Sequence, residues 1–438
     1  MMRPTATKIL QDLIRFDTTN PPGNERPCIE YVDRLLHGAG IETQRVAKDP
    51  ERPNLLARLP GRGEAPGVLL FGHVDVVTTK HQVWAVPPFE GRIQDGFLWG
   101  RGALDMKSGV AMMLHALLRL ADERRALPGD ILLAVVVDEE AGGDAGSRFL
   151  AGEHAEHFDG IRYAIGEFGG FPLYISRAPL YMIQVGEKQP CWTEVKLHGP
   201  AGHGARPMRD GAMADLGKLL VRLNRSRLPV HITPATERMV HAIADVLPAG
   251  KRVIFRRLLD PKRTDRILRR LGEIGRNLEP LFRNTVNATL VRGGEKPNVI
   301  PSEISLGLDG RLLPGYGPRD LLDELESAVG TPLDANVRLF DEGPTDMDLG
   351  LLPLLGASLA AAHPGAHAVP YLLPGSSDAR FFARLGIQTY GFLPMNLPEG
   401  FDFFATIHAA NERIPVESVE FGARVLHDVL VRYPGDRT

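Results

Sequence analysis

Three apolar runs in this chain end in ionisable residues, and that placement constrains the fold more than any other feature. Residues 66–78, PGVLLFGHVDVVT, read as a buried strand running into a polar end. Residues 130–137, DILLAVVV, read as a second, with Glu139 and Glu140 just beyond, and a third, Tyr163 to Gly166, stops at Glu167. Strands this continuously apolar are covered on both faces, as in parallel sheets with helices on either side. A helix beginning near Ser108 and carrying VAMMLHALLRLA supplies an apolar face for such a sheet. The order strand, helix, strand predicts an α/β fold, whose ligand crevice lies outside the carboxyl ends of the strands. A site is expected there.

At 438 residues the chain is long enough for at least two domains. A hydrophobic share of 43% with 24% charged residues is ordinary globular composition, and the net charge of −3 argues against a dedicated nucleic-acid binder. The opening stretch is broken by Asp12, Arg15 and Asp17, so it does not read as a signal peptide, and no run reaches membrane-spanning length. Neither nucleic acid nor membrane is therefore expected as a partner. Leu10, Leu13 and Ile14 share one face of a short helix that the Asn20-Pro21-Pro22-Gly23 turn ends. Cys28 and Cys191 cannot form a disulfide framework or a thiolate metal site, and a reduced, cytoplasmic setting is expected.

From Tyr181 the texture changes to two alternating segments, YMIQVGEKQ and CWTEVKLHG, followed by a helix and by EISLGLDGRL, which predicts a separate α+β domain. Its middle, Pro229 to Asn284, is rich in Arg and Leu at helical spacing. That segment reads as solvated amphipathic helices or an oligomer contact in preference to a nucleic-acid surface. After Pro314 the helix and strand pattern returns, closing on ESVEFGARVLHDVLVRY.

His73 and Asp75, two apart on a strand, leave the same face, so the carboxylate can orient the imidazole. Glycines around Asp105 in GRGALDMKSG present it at a turn, and Asp138-Glu139-Glu140 crowds three carboxylates at the end of an apolar strand, a costly arrangement without cations. Taken singly, each has an ordinary reading: a structural pair, a turn with a helix cap at Asp105 and Ser108, a solvated acidic loop. Glu167 and His408 alone are unremarkable as well. Together His73, Asp105, Glu140, Glu167 and His408 supply two imidazoles and three carboxylates, the donor set a pair of zinc ions accepts. Co2+ or Mn2+ suits the same oxygen-rich set. Among other histidines, His154 and His157 read as surface residues, and Pro364-Gly365 keeps His363 and His367 off a common helical face. Gly61-Arg62-Gly63 precedes its strand, against a dinucleotide fingerprint, and no GxSxG elbow occurs.

The series GHVDVV, WAVPPFEGRIQDGFLWGRGALDMKSG, VDEEAGG, PAGHGARP and IHAANERIP, in this order, resembles the dizinc aminoacylase and carboxypeptidase family, which includes acetylornithine deacetylase and succinyl-diaminopimelate desuccinylase. The resemblance runs from about Leu10 to Val431. It implies a three-layer catalytic domain with a mostly parallel mixed sheet, in two parts (1–186 and 310–438), and an inserted α+β lid and dimerisation domain (187–309). It further implies His73 and Glu167 on one Zn2+, Glu140 and His408 on the other, Asp105 bridging, Glu139 as general acid and base, Asp75 orienting His73, and a cis peptide between Asp105 and Met106. In the lid, His203 would support the oxyanion of a neighbouring site, while Asn298, Arg311 and Ser376 would contact substrate. Thr78 and Thr79 depart from the family, where proline is common. The expected activity is hydrolysis of an amide bond next to a free carboxylate, in an N-acyl amino acid or at the C-terminal residue of a short peptide, by a homodimer joined through the lid. A dipeptidase or a biosynthetic deacylase of the same family is the near alternative, and a catalytically silent binding protein the remote one.

Overall fold

The computed structural model describes residues 3–175 and 178–434. It divides into two compact units: Met1–Val185 with Met347–Tyr371 and Ser377–Thr438, and Gly186–Asp346 with Leu372–Ser376.

The first unit is built on a mixed sheet. Its central strands, Ile131–Val136, Gly67–His73, Ile161–Gly166 and Gln388–Gly391, lie side by side and parallel. Asn54–Leu59 and Thr43–Val46 extend it antiparallel on one side, and Ala178–Glu187 and His367–Leu373 continue it on the other. Every residue of Gly67–His73 is buried, because alternate side chains enter different layers. Val68 and Leu70 join the core formed with helices Ala6–Ile14, Lys107–Glu123 and Val416–Arg432. Leu69 and Phe71 join a second core with Phe149, Leu150 and Phe382 from the opposite layer. The three-layer, mostly parallel expectation is met. Glycine at 166 has a packing reason: a Cβ there would fall 2.1 Å from the Phe71 ring. The parallel register pairs His73 with Val136, so neighbouring strands deliver their polar ends to one edge of the sheet.

The second unit is a four-stranded antiparallel sheet, ordered Thr285–Arg292, Glu303–Leu312, Gln189–His198, Asp334–Phe340. Along Glu303–Leu312 the buried residues Ile304, Leu306, Leu308 and Leu312 alternate with half-buried Ser305, Gly307, Asp309 and Arg311. The buried set shares a cluster with Leu219 of helix Ala212–Arg225 and with Leu321 and Leu325 of helix Pro318–Val329. The Arg-rich segment forms the helices Pro234–Val246, Ala249–Arg256, Pro261–Arg270 and Glu273–Leu278. Met239, Ile243, Phe255, Leu258, Ile267 and Leu268 point inward, and arginines pair outward, as in Arg256 with Asp245 at 2.7 Å.

Two sequence expectations are corrected. Tyr181 to Val185 of YMIQVGEKQ belong to the large sheet of the first unit, where even Gln184 is buried; the apparent alternation came from a polar residue placed inside. The boundary expected at 309/310 falls inside Glu303–Leu312, and the second unit runs on to Asp346 because Asp334–Phe340 pairs with Gln189–His198. Cys28 and Cys191 are free and buried. Among the described residues no helix is long and apolar enough to cross a membrane.

Candidate metal centre

The strand ends of the first unit place the expected ligands. His73 closes its strand, Glu139 and Glu140 occupy the short 3-10 turn after Ile131–Val136, and Glu167 follows Ile161–Gly166. Asp105 sits in the turn before helix Lys107–Glu123, and its bond to Met106 is cis, as the resemblance implied. His408 follows the single helical turn Phe403–Thr406 with φ of 57°, a left-handed conformation uncommon for a residue with a Cβ.

These side chains converge in two groups that share one residue. Asp105 Oδ1 lies 3.3 Å from His73 Nε2, which is also 3.3 Å from Glu167 Oε2. Asp105 Oδ2 lies 3.0 Å from His408 Nε2, which is 3.2 Å from Glu140 Oε1. Each group offers three ligand atoms within 4.8 Å of one another, and Asp105 presents one oxygen to each. One carboxylate thus faces both groups, as the resemblance implied for Asp105. Glu139 stands beside the first group, its Oε2 3.9 Å from His73 Nε2.

The electrostatics favour a cation at this place. Burial pushes the Glu167 carboxyl up to about 8 and raises Glu139 well above the usual carboxylate range, with the Glu167 charge adding to it. Glu140 is raised as well, again by burial first. Burial also works against ionised Asp105, but its hydrogen bonds with His408 and His73 prevail and hold its carboxyl down. His408 is driven up to about 10 by Asp105 and Glu140. Glu167 Oε1 is buried without a hydrogen-bond partner, and Glu167 Oε2 and Glu140 Oε1 face only the imidazole nitrogens of His73 and His408, at 3.3 and 3.2 Å, a cost that metal coordination would remove. The donor set and its unsatisfied oxygens thus fit a pair of divalent cations.

The sequence matches Peptidase family M20/M25/M40 over residues 69–432. The chain belongs to that family. It is 27% identical over 379 residues to the human N-fatty-acyl-amino acid synthase/hydrolase PM20D1, covering 83% of this chain and 73% of that protein. It is 25% identical over 399 residues to aminoacylase-1 of Sus scrofa, covering 89% and 86%. Among solved structures, the M20 family metallo-carboxypeptidase Sso-CP2 of Sulfolobus solfataricus has a TM-score of 0.70 at 17% identity, covering 97% of this chain and 98% of that one, a likeness of fold. Membership makes this chain a hydrolytic enzyme, and its two ligand groups fit a pair of metal ions.

In this M20 chain, Asp75 contacts more than the histidine. His73 Nδ1 is 2.9 Å from the Asp75 backbone carbonyl and 3.5 Å from the carboxylate. The carboxylate itself accepts the backbone N–H groups of Glu139 at 3.2 Å and Glu140 at 3.1 Å. In the second unit, His203 is exposed on a two-stranded ribbon, Gly202–His203 with Val299–Ile300, and Asn298 adjoins it through its carbonyl, which accepts from Gly204 N at 2.8 Å. Arg311 and Ser376 meet at 3.1 Å, and Asp309 holds the same guanidinium at 2.8 Å. His154, Glu156 and His157 also bring ligand atoms within 4.8 Å, on a partly exposed turn where His154 is 3.5 Å from Glu156.

Sequence reasoning missed the pair that holds the bridging turn. Glu412, fully buried, accepts from Arg101 Nη1 at 2.6 Å and from the backbone of Gly102 at 3.1 Å, Leu104 at 2.7 Å and Asp105 at 3.2 Å. Arg101 Nη2 also reaches the His408 carbonyl at 3.2 Å. Both residues lie inside the GRGALDMKSG and IHAANERIP motifs, which was the available signal; their pairing across 311 positions was not.

Proposed function

We propose that this enzyme hydrolyses the amide bond of an N-acyl amino acid, next to the free carboxylate, with two zinc ions. The observation that carries the reading is the division of Asp105, one oxygen facing His73 and Glu167 and the other facing His408 and Glu140, with Glu139 alongside. The substrate class is supported by the two curated relatives, whose names are N-fatty-acyl-amino acid synthase/hydrolase and aminoacylase.

A metal pair held by these five residues would supply a water of lowered pKa and a Lewis-acid pull on the substrate carbonyl. Glu139 takes the proton of the attacking water and delivers it to the leaving nitrogen; burial, which raises its proton affinity, suits it to both transfers. Asp75 fixes the Glu139 backbone, so the carboxylate is presented from a defined position. We assign the second unit the role of the substrate-gripping lid, running from Gly186 to Asp346. There the N–H groups of Arg311 not taken by Asp309 and Ser376 are suited to the substrate carboxylate, Asn298 would be a further substrate contact and His203 an oxyanion donor. A dimer through this unit would follow the family.

The test pairs metal content with hydrolysis of a panel of N-acyl amino acids of graded acyl length and of dipeptides, by wild type and Glu139→Gln. We expect about two metals per chain in both proteins and a rate loss of at least about 100-fold in the variant. Hydrolysis that survives either the substitution or chelation overturns the reading.

A further inference from the structure

The first helix already ends at Ile14, so the Asn20-Pro21-Pro22-Gly23 turn does not end it as expected; the turn instead reaches the loops at the strand ends. Asn20 is buried, and its amide nitrogen donates to Asp75 Oδ2 at 2.9 Å and to Asp138 Oδ1 at 3.0 Å, spanning two carboxylates that would otherwise repel. Asp138 immediately precedes Glu139 and has φ of 69°, in the left-handed region. Its other oxygen accepts from Ala145 N at 3.0 Å, so the carboxylate closes the loop that carries Glu139 and Glu140.

The charge of Asp138 is answered by Arg52, whose Nη1 lies 2.9 Å from Oδ1. The same guanidinium uses Nε, at 3.0 Å, and Nη2 to grip Glu25, a carboxylate with no solvent exposure. Gly23, with φ of 84°, makes room for it: a Cβ there would fall 2.3 Å from Arg52 Nε. One cation therefore ties Glu25 to Asp138, and Asn20 ties Asp138 to Asp75. Asp75 in turn holds the N–H groups of Glu139 and Glu140.

We infer that Arg52 is a positioning residue for the reaction, acting through Asp138 to fix the backbone from which Glu139 and Glu140 project. The inference rests on the roles proposed for those two glutamates. A planar, forked guanidinium can bind two carboxylates in set directions at once, and an ammonium cannot reproduce that. Outer-shell partners of this kind typically change metal affinity or activity by about 10–100-fold when removed.

The experiment uses the full-length enzyme as wild type, Arg52→Ala, Arg52→Lys and Asn20→Ala. Asn20→Ala leaves both Arg52 ion pairs in place and removes the link between Asp138 and Asp75, whereas Arg52→Lys keeps the charge and loses the fork, so it decides the matter if Arg52→Ala does not fold. Thermal unfolding, kcat and KM separately, and zinc retention against a graded series of chelator are measured on each. We expect kcat to fall about 10–100-fold in all three variants with KM little changed, and zinc to be lost at lower chelator concentration. Methylguanidinium should restore part of kcat to Arg52→Ala and none to Asn20→Ala. Variants that unfold earlier yet keep wild-type kcat and zinc retention would make Arg52 a purely structural ion pair and overturn the inference. Should wild type cleave nothing in the panel, the proposed function fails, and the zinc-retention arm by itself decides the role of Arg52.

Discussion

At Asp105 one residue has to satisfy two ligand groups, and its freedom to do so is set by Glu412. That buried carboxylate takes three backbone N–H groups of the Gly102–Asp105 turn together with the Arg101 guanidinium. Removing one member of a buried ion pair leaves the other charge uncompensated, at about 3–5 kcal/mol. We therefore expect Glu412→Gln to lose about 3 kcal/mol of stability in chemical denaturation and to bind metal more weakly, since it holds the Asp105 backbone directly and His408 through Arg101. A variant of unchanged stability would show that the turn holds itself. Asp33 provides a pH-dependent case away from the site. Burial works against its charge, but Thr43 and Arg45, the latter with Nε at 2.9 Å, outweigh that and hold its carboxyl below the usual range. Its stabilising contribution is thus present above about pH 4 and fades as pH falls through the folded-state value. Arg45 is partly exposed, so the effect should stay below about 1 kcal/mol. Comparing acid unfolding of wild type and Asp33→Asn should give a shallower acid loss in the variant.

Among elements, the loops at the strand ends decide the chemistry, and glycines decide the loops. Gly146 opens the helix that follows the Glu139–Glu140 turn, and a Cβ there would fall 1.8 Å from the Val137 carbonyl oxygen, a backbone atom that cannot swing aside. Gly146→Ala should cost about 1–3 kcal/mol and depress activity, as read by thermal unfolding alongside the substrate panel. Full stability in that variant would mean the loop has a second conformation. The strands themselves were legible because they are apolar throughout, so periodicity, length and polar ends all agreed for Gly67–His73, Ile131–Val136 and Ile161–Gly166. Legibility failed at Ala178–Glu187, where buried Gln184 imitates the solvent face of an edge strand. It failed again near residue 310, where a strand of one unit and the helix after it look like the helix and strand grammar of the other.

For the whole molecule, a metal pair would serve stability as well as chemistry. Ligands that bind only the folded state stabilise it by about 4 kcal/mol at a thousandfold excess over Kd. Here they would also offset the crowding of Asp105, Glu139, Glu140 and Glu167. Chelation should lower the unfolding temperature and abolish hydrolysis, with Zn2+, Co2+ or Mn2+ restoring both to different degrees in calorimetry; an unmoved transition would count against metal in the folded chain. The sequence by itself determined the α/β class and the strands that end in ionisable residues, and it singled out the candidate donor set, because these depend on local hydrophobic pattern and on residue type. Only the tertiary structure decided that Asp105 turns one oxygen to each group, that Asp75 binds the Glu139 and Glu140 backbone, and that Arg101 pairs with Glu412 and Arg52 with Asp138. Those pairings join residues far apart in the chain, and the burial that makes each of them matter exists only once the layers have closed.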